Sequence, residues 1–228
     1  EASLVGSEMC IRDRNNMVDN LGDCGAANSV DLSGEVSLSA STEFGDGWEL
    51  GLGISADSGE TSRGIFTNEG DDYYGIAIGY ERDTFGFTAA YSMKESTTIA
   101  NSTTGWVQSD NASQKDTTYY GLVGYYSPES TPLTLSGGIE LSDIEGTNTD
   151  KTQWTVGVST DLGEGTLSAT FGTNGAIADN AEEIYAYDLS YEYPLNDSMS
   201  ITPFVYVAET TGSTVDTTGA GAFVSFSF

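Results

Sequence analysis

From residue 31 onward the chain alternates between apolar and small polar side chains with a period of two. "LSGEVSLSA" sets Leu32, Val36, Leu38 and Ala40 against Ser33, Glu35, Ser37 and Ser39. After "FGDG", a tight-turn signal, "WELGLGISAD" sets Trp48, Leu50, Leu52 and Ile54 against Glu49, Gly51, Gly53 and Ser55. This is the signature of strands with one apolar face. The same reading gives "YYGIAIGY" and "FGFTAAYSM" joined by "ERDT", then "TYYGLVGYY" and "LTLSGGIEL" joined by "SPESTP". It continues with "QWTVGVST" and "TLSATFG" around "DLGEG", then "IYAYDLSYEY" and "MSITPFVYVA" around "PLND". A last strand closes on "GAGAFVSFSF". Eleven strands are predicted, with short and long connections alternating without exception. The longest connection is "KESTTIANSTTGWVQSDNASQKD", residues 94–116.

An up-and-down meander with short turns at one end and long loops at the other is the layout of an outer-membrane barrel. A soluble sandwich has the same periodicity with its apolar face inward. Three features favour the barrel. The polar face is rich in Gly and Ser rather than in long charged side chains. Aromatic residues gather near strand ends, at Trp48, Tyr73, Tyr74, Tyr80, Phe85, Tyr126, Trp154, Tyr185, Tyr193 and Phe228, where interfacial girdles fall. The final strand ends on an aromatic, the form outer-membrane barrels present to their assembly machinery. The expected fold class is therefore all-β: an up-and-down antiparallel transmembrane β-barrel.

Composition sharpens this. With 35 acidic and 7 basic residues the formal charge is −28, which repels nucleic acid and leaves no phosphate-binding cluster. Acidic chains poor in aromatics are disordered, but this one has 3 Trp, 9 Phe and 13 Tyr. No apolar run approaches the ~18–20 residues of a spanning helix, which excludes helical membrane proteins and leaves barrels open. Residues 1–14, "EASLVGSEMCIRDR", depart from the later style and hold two of the seven basic residues. They resemble a translated sequencing-adaptor stretch and are expected to be foreign to the protein or a disordered tail. Cys10 lies in that stretch and Cys24 beyond it, so a bridge between them is not expected despite workable spacing.

The hairpin "LSGEVSLSASTEFGDGWELGLGISADSGE" and the terminal "GAFVSFSF" resemble the Gram-negative porins, in particular the acidic porins of alphaproteobacteria. The resemblance covers residues 31–228 as one barrel domain. It implies both termini on the periplasmic side and an even strand number. Eleven is odd, and the strand from Asp31 would run inward, so residues 15–30 are expected in an extracellular loop after a missing outward strand. A twelve-stranded parent is the simplest count, with the chain a fragment of it. The resemblance further implies contact with outer-membrane lipid and lipopolysaccharide, with the barrel-assembly machinery through the last strand, and with small cations and hydrophilic solutes. It also admits a homo-oligomer. Residues 94–116 become the third extracellular loop, which in porins folds inward and narrows the pore; Lys94, Trp106, Asp110, Lys115 and Asp116 are its candidate constriction residues. An ordinary surface loop remains equally open.

Alternation places Glu35, Glu49, Glu140, Asp188 and Glu192 on the lumen side, where charges act on ions in a confined low-dielectric wall. Beyond residue 14 the chain has only Arg63 and Arg82 as arginines, too few to form the arginine cluster general porins set against acidic residues. A cation-preferring diffusion channel is expected. Inward aromatics such as Tyr119, Phe204 and Tyr206 raise the alternative of a sugar-type channel, and a closed adhesive barrel is another. "NEGDD" (68–72) and "DIEGTNTD" (143–150) offer oxygens of the kind Ca²⁺ takes without matching a defined calcium loop, and are otherwise hydrated loops. Barrel proteases and phospholipases need an imidazole near neutral pH, and this chain has no histidine; no phosphate loop, paired-cysteine metal spacing or nucleophile elbow is present. No catalytic residue and no cofactor are assigned.

Overall fold

A computed structural model describes residues 36–57, 71–94, 98–102, 105–109, 116–145, 150–196 and 198–227. Within these, 36–39, 55–57, 71–73, 94, 98–102 and 105–109 are described for backbone alone. The expected tail 1–14, the expected loop 15–30, Glu35 and Phe228 lie outside the described residues. The strands are β1 (Val36–Phe44), β2 (Trp48–Asp57), β3 (Asp71–Arg82), β4 (Phe85–Lys94), β5 (Thr98–Ser102), β6 (Gly105–Ser109) and β7 (Thr117–Tyr126). They continue with β8 (Leu133–Ile144), β9 (Lys151–Leu162), β10 (Gly165–Thr173), β11 (Ile177–Ala178), β12 (Tyr185–Asn196), β13 (Met199–Ala208) and β14 (Thr217–Phe226).

Eleven of these form one antiparallel meander in the order β1-β2-β3-β4-β7-β8-β9-β10-β12-β13-β14, the count the alternation predicts. The two-residue β11 adds to β9 and makes the sheet twelve-stranded, while β5 and β6 form a separate hairpin inside the longest connection. The meander strands run 9 to 12 residues, the length of roughly 9–11 residues that a tilted strand needs to cross a bilayer. Among the described residues β1 and β14 each pair on one side only, so the sheet is open.

Local chemistry sets the turns. The β1–β2 turn places Gly45 and Gly47 at φ of 60° and 85° around Asp46. Only glycine reaches that region without strain. Gly47 also sits so close to β3 that a Cβ would collide with the Glu81 carbonyl oxygen, and its own carbonyl accepts a hydrogen bond from Glu81 N at 2.8 Å.

Two expectations are corrected. The β7–β8 connection, residues 127–132, is as long as the β8–β9 connection, residues 145–150, so the alternation of short and long is not strict. Pro128 and Pro132 lack the N–H that would extend the ladder, and Thr131 N instead donates to Pro128 O at 3.2 Å. "PLND" is not wholly a turn: β12 runs to Asn196, with Pro194 opposite Ser200 and a register shift absorbing the proline.

Candidate functional site

Directly paired residues in an antiparallel sheet share a face, so the registers sort side chains into two surfaces. Leu50, Ile78, Ala89, Leu122, Ile139 and Trp154 form one continuous row across β2, β3, β4, β7, β8 and β9. One residue along, Gly51, Ala77, Ala90, Gly121, Glu140 and Gln153 form the row on the opposite face.

Burial tells the faces apart. Among the described residues Val123 is the only buried large hydrophobic side chain. Ser92, Glu140, Ser142, Gln153, Ser190 and Thr202, all on the polar face, are buried. Leu52, Leu122, Leu135, Leu162 and Phe226, all on the apolar face, are about half exposed. A water-soluble fold does the reverse. The exposed apolar surface suits lipid, and the shielded polar one suits the inner wall of a barrel.

Aromatic residues reinforce the apolar surface toward both strand ends. At the short-turn end Trp48 stacks with Phe44 and meets Tyr80 at a tilt, their ring centres 4.6 Å apart, and Tyr80 contacts Phe85. Toward the loop end Trp154, Phe171, Tyr185 and Tyr187 form a second group, with Tyr185 5.4 Å from Phe171. Tyr74, Tyr126 and Tyr193 lie on the same parity. Tyr73 is in register with Ser55 and Lys94, one place off that face.

On the polar face the structure brings together more carboxylates than the sequence indicated. Glu49, Glu140, Asp188 and Glu192 all fall there, joined by Glu43 opposite Glu49, by Glu81 in the Gly86–Tyr125 row, and by Asp161 opposite Thr166. The added three sit where strands run past their expected ends, Glu81 and Asp161 into residues read as turns. Continuing the alternation through Phe44, Arg82 and Leu162 finds them. A recess of about 550 Å³ beside the β1–β2 turn is lined by Glu43, Glu49 and Glu81 with Gly51, Gly79 and Gly86. Tyr125 crosses Gly86 and donates its hydroxyl to Glu81 Oε1 at 3.0 Å. Like charges such as Glu43 and Glu49 directly across a ladder repel, a juxtaposition eased by the exposure of both.

Among the described residues few basic positions fall on this face. Arg82 takes the apolar parity at the tip of β3, where it pairs with Asp46 at 2.6 Å and donates through Nε to Tyr80 OH at 2.6 Å. The Arg82 hydrogen bond and charge hold the Asp46 carboxyl below its ordinary range. Lys151 lies on the polar parity opposite Ser142, and Lys94 occupies the end of β4 opposite Thr117. Of the other candidate constriction residues, Trp106 is in β6 opposite Asn101 and Asp116 accepts a backbone hydrogen bond from Glu145 N at 2.9 Å; Asp110 and Lys115 lie outside the described residues. Among the described residues no three His, Cys, Asp or Glu groups are placed to hold a metal ion.

A second feature of the polar face is aromatic. Phe204 and Phe223 stack at 4.4 Å with planes 10° apart, and Tyr206 continues the stack at 6.4 Å from Phe204. The rings fit because they lean over Gly219 and Gly221 of β14, where any Cβ would meet them.

A family model described as Gram-negative porin matches residues 39–228. No curated protein sequence matches the chain. Among solved structures it resembles a loop-deletion variant of OmpT, an outer membrane protein of Vibrio cholerae, at 13% identity and a TM-score of 0.60, over 87% of this chain and 66% of that one. It also resembles a porin refined at 1.8 Å, at 15% identity and a TM-score of 0.60, over 92% and 70%. A triple mutant of the Rh. blastica porin follows at 16% identity and a TM-score of 0.51, over 84% and 55%. The chain thus spans between about half and 70% of these proteins' lengths. At such identities the likeness is one of fold.

Proposed function

We propose, from the premise that this chain belongs to the Gram-negative porins, that it forms a water-filled, cation-preferring pore for passive diffusion of ions and small hydrophilic solutes. The family makes it an outer-membrane β-barrel of the channel type. Selectivity is our reading, and one observation carries it. The polar face gathers Glu43, Glu49, Glu81, Glu140, Asp161, Asp188 and Glu192, while its basic positions among the described residues are Lys94 and Lys151. In a narrow low-dielectric wall such an excess concentrates cations and depletes anions.

The same reading orients the barrel with long loops outward and the β14 end toward the periplasm, in contact with lipid and lipopolysaccharide and, during assembly, with the barrel-assembly machinery. It assigns residues 94–116 the role of the constriction. The support is a patch of the polar face on β4, β8 and β9, where Ser92, Glu140, Ser142 and Gln153 are shielded while Glu49 and Glu192 are exposed. The Phe204–Phe223–Tyr206 stack opposite Ser190, Thr202 and Asp188 favours a second reading, a channel tuned to a ring-shaped solute such as a sugar. Block of ion current by added oligosaccharide separates the two.

The direct test is reversal potential in a planar bilayer under a KCl gradient. The intact pore is expected to prefer K⁺, and replacing Glu49, Asp188 and Glu192 with glutamine together is expected to move the potential toward zero. A folded protein that conducts nothing, or that prefers chloride, overturns this reading.

A further inference from the structure

We infer that the aromatic row on β13 and β14, with Asp188 and the hydroxyls beside it, binds an organic ammonium ion, a cationic nitrogen carried on an apolar body. The inference rests on the cation-preferring channel reading and gives that pore a favoured solute. Phe223 and Phe204 stack at 4.4 Å, and Tyr206 follows Phe204 at 6.4 Å with planes 19° apart. All three rings are on a face otherwise made of small and acidic residues. Lipid contact does not explain them, because Val205 and Val224 hold the opposite parity. Nor do the rings simply bury one another, since Tyr206 stays 37% exposed. Strand β14 makes room for the row: a Cβ at Gly221 would meet the Phe204 ring, and one at Gly219 the Tyr206 ring.

Cross-strand pairing fixes what borders the rings. Asp188 of β12 is directly opposite Tyr206, Ser190 is directly opposite Phe204, and Thr202 of β13 is directly opposite Phe223. Opposite residues in such a ladder have Cβ atoms roughly 4.5–5.5 Å apart, so a carboxylate and two hydroxyls follow the row along its length. Ser190 and Thr202 are only 3% and 6% exposed, and neither hydroxyl makes a hydrogen bond among the described residues. Buried polar groups ordinarily have a partner, and these two have lone pairs to offer one.

Charge selects the occupant. The chain has no basic residue after Lys151, against ten acidic ones, so β10 to β14 carry negative charge alone. A neutral ring-shaped solute gains little from that field, and a hydrated alkali ion gains little from three rings. An organic ammonium gains from both. Its charge lies against the rings as a cation–π contact, its N–H groups donate to Asp188 and to the two hydroxyls, and its apolar body covers aromatic surface.

The test separates charge from ring. The K⁺ current through the refolded protein is recorded in planar bilayers with benzylammonium, its neutral counterpart benzyl alcohol, and ammonium chloride added in turn. Benzylammonium is expected to block at concentrations at least tenfold below either control. Phe204→Leu keeps an apolar side chain and every charge. It is expected to raise the half-blocking concentration about fivefold, the equivalent of one lost cation–π contact. Tyr206→Leu is the second ring deletion and is expected to act in the same direction. Asp188→Asn keeps the shape and is expected to raise the value about tenfold, the equivalent of one hydrogen bond to a charged group. A cation-preferring pore that benzylammonium blocks no better than benzyl alcohol overturns the site and leaves the channel reading standing. So do folded Phe204→Leu and Tyr206→Leu proteins whose block curves superimpose on the intact one. Block by an added oligosaccharide but not by benzylammonium overturns it as well and gives the row to a sugar. A protein with no cation preference overturns both the site and the channel reading.

Discussion

Strand β8 offers a depth gauge for the membrane reading. Its apolar-face residues Leu133, Leu135, Ile139 and Leu141 are all between 40% and 50% exposed, so in water they would be nearly equivalent surface sites. In a bilayer they are not. At about 3.3 Å per residue and a tilt near 45°, each step of two residues changes depth by roughly 4.7 Å. Leu133 opens the strand at the short-turn end, and Ile139 lies near its middle. Arginine is introduced at each position in turn, and unfolding free energy is measured by denaturant titration in lipid vesicles, with tryptophan fluorescence as the signal. The expected cost is about 2–4 kcal/mol at Ile139, falling to about 0–1 kcal/mol at Leu133, with Leu135 and Leu141 between. A companion set of alanines separates lipid from a protein core. Lipid refills the space that Ile139→Ala leaves, so only a transfer cost remains, about 1–2 kcal/mol for a half-exposed side chain. A close-packed core would add a cavity and bring the loss to 2–5 kcal/mol. A flat arginine profile, or a maximum at Leu133, would refute the assignment of this face to lipid.

Two further outcomes test the turns. Gly47→Ala is expected to destabilise by more than Gly212→Ala: both have positive φ, worth about 1–3 kcal/mol of strain for a side-chain-bearing residue. Only Gly47 would also drive its Cβ into the Glu81 carbonyl, whereas Gly212 has open space; equal losses in a denaturant titration would contradict the close approach of β1–β2 to β3. For the exposed Asp46–Arg82 pair, an NMR titration is expected to find the Asp46 midpoint below the ordinary carboxylate range and to see it return there in Arg82→Ala. Because the folded value is depressed, the pair's contribution is present above the ordinary carboxylate value and fades as pH falls through the lowered one. An exposed pair of this kind leaves the melting temperature nearly unchanged when it is cut.

The meander was legible because each strand repeats one contrast, apolar against Gly or Ser, and the turns carry Gly-rich or Pro-containing punctuation. Its limits were not. At Glu43–Phe44, Glu81–Arg82 and Asp161–Leu162 the ladder continues into charged residues, where a strand leaves the apolar zone and the contrast fades. The β5–β6 hairpin and β11 were invisible for a related reason: they pair locally or over two residues, without an alternating face to announce them. Periodicity also has no sign. It is the same for a sandwich and a barrel, and only the exposure of Leu122 beside the burial of Glu140 decides which face meets water. The sequence could turn Glu140 inward, but not bury it.

That difference in burial divides the work along the pore. Glu49 lies one residue from the short-turn end of β2, exposed, beside Glu43 and Glu81 in a glycine-walled recess. Groups so placed act through a field that salt screens over about 8–10 Å at physiological strength, and each replaces part of what another loses. Removing one should shift selectivity little, and removing several should shift it much. Glu140 lies four residues from the loop end of β8 and is shielded. An interaction at contact distance in a poorly hydrated place is screened far less. The ionic-strength dependence therefore sorts the two groups: selectivity lost by neutralising the recess should recede at high salt, while selectivity lost in Glu140→Gln should persist there.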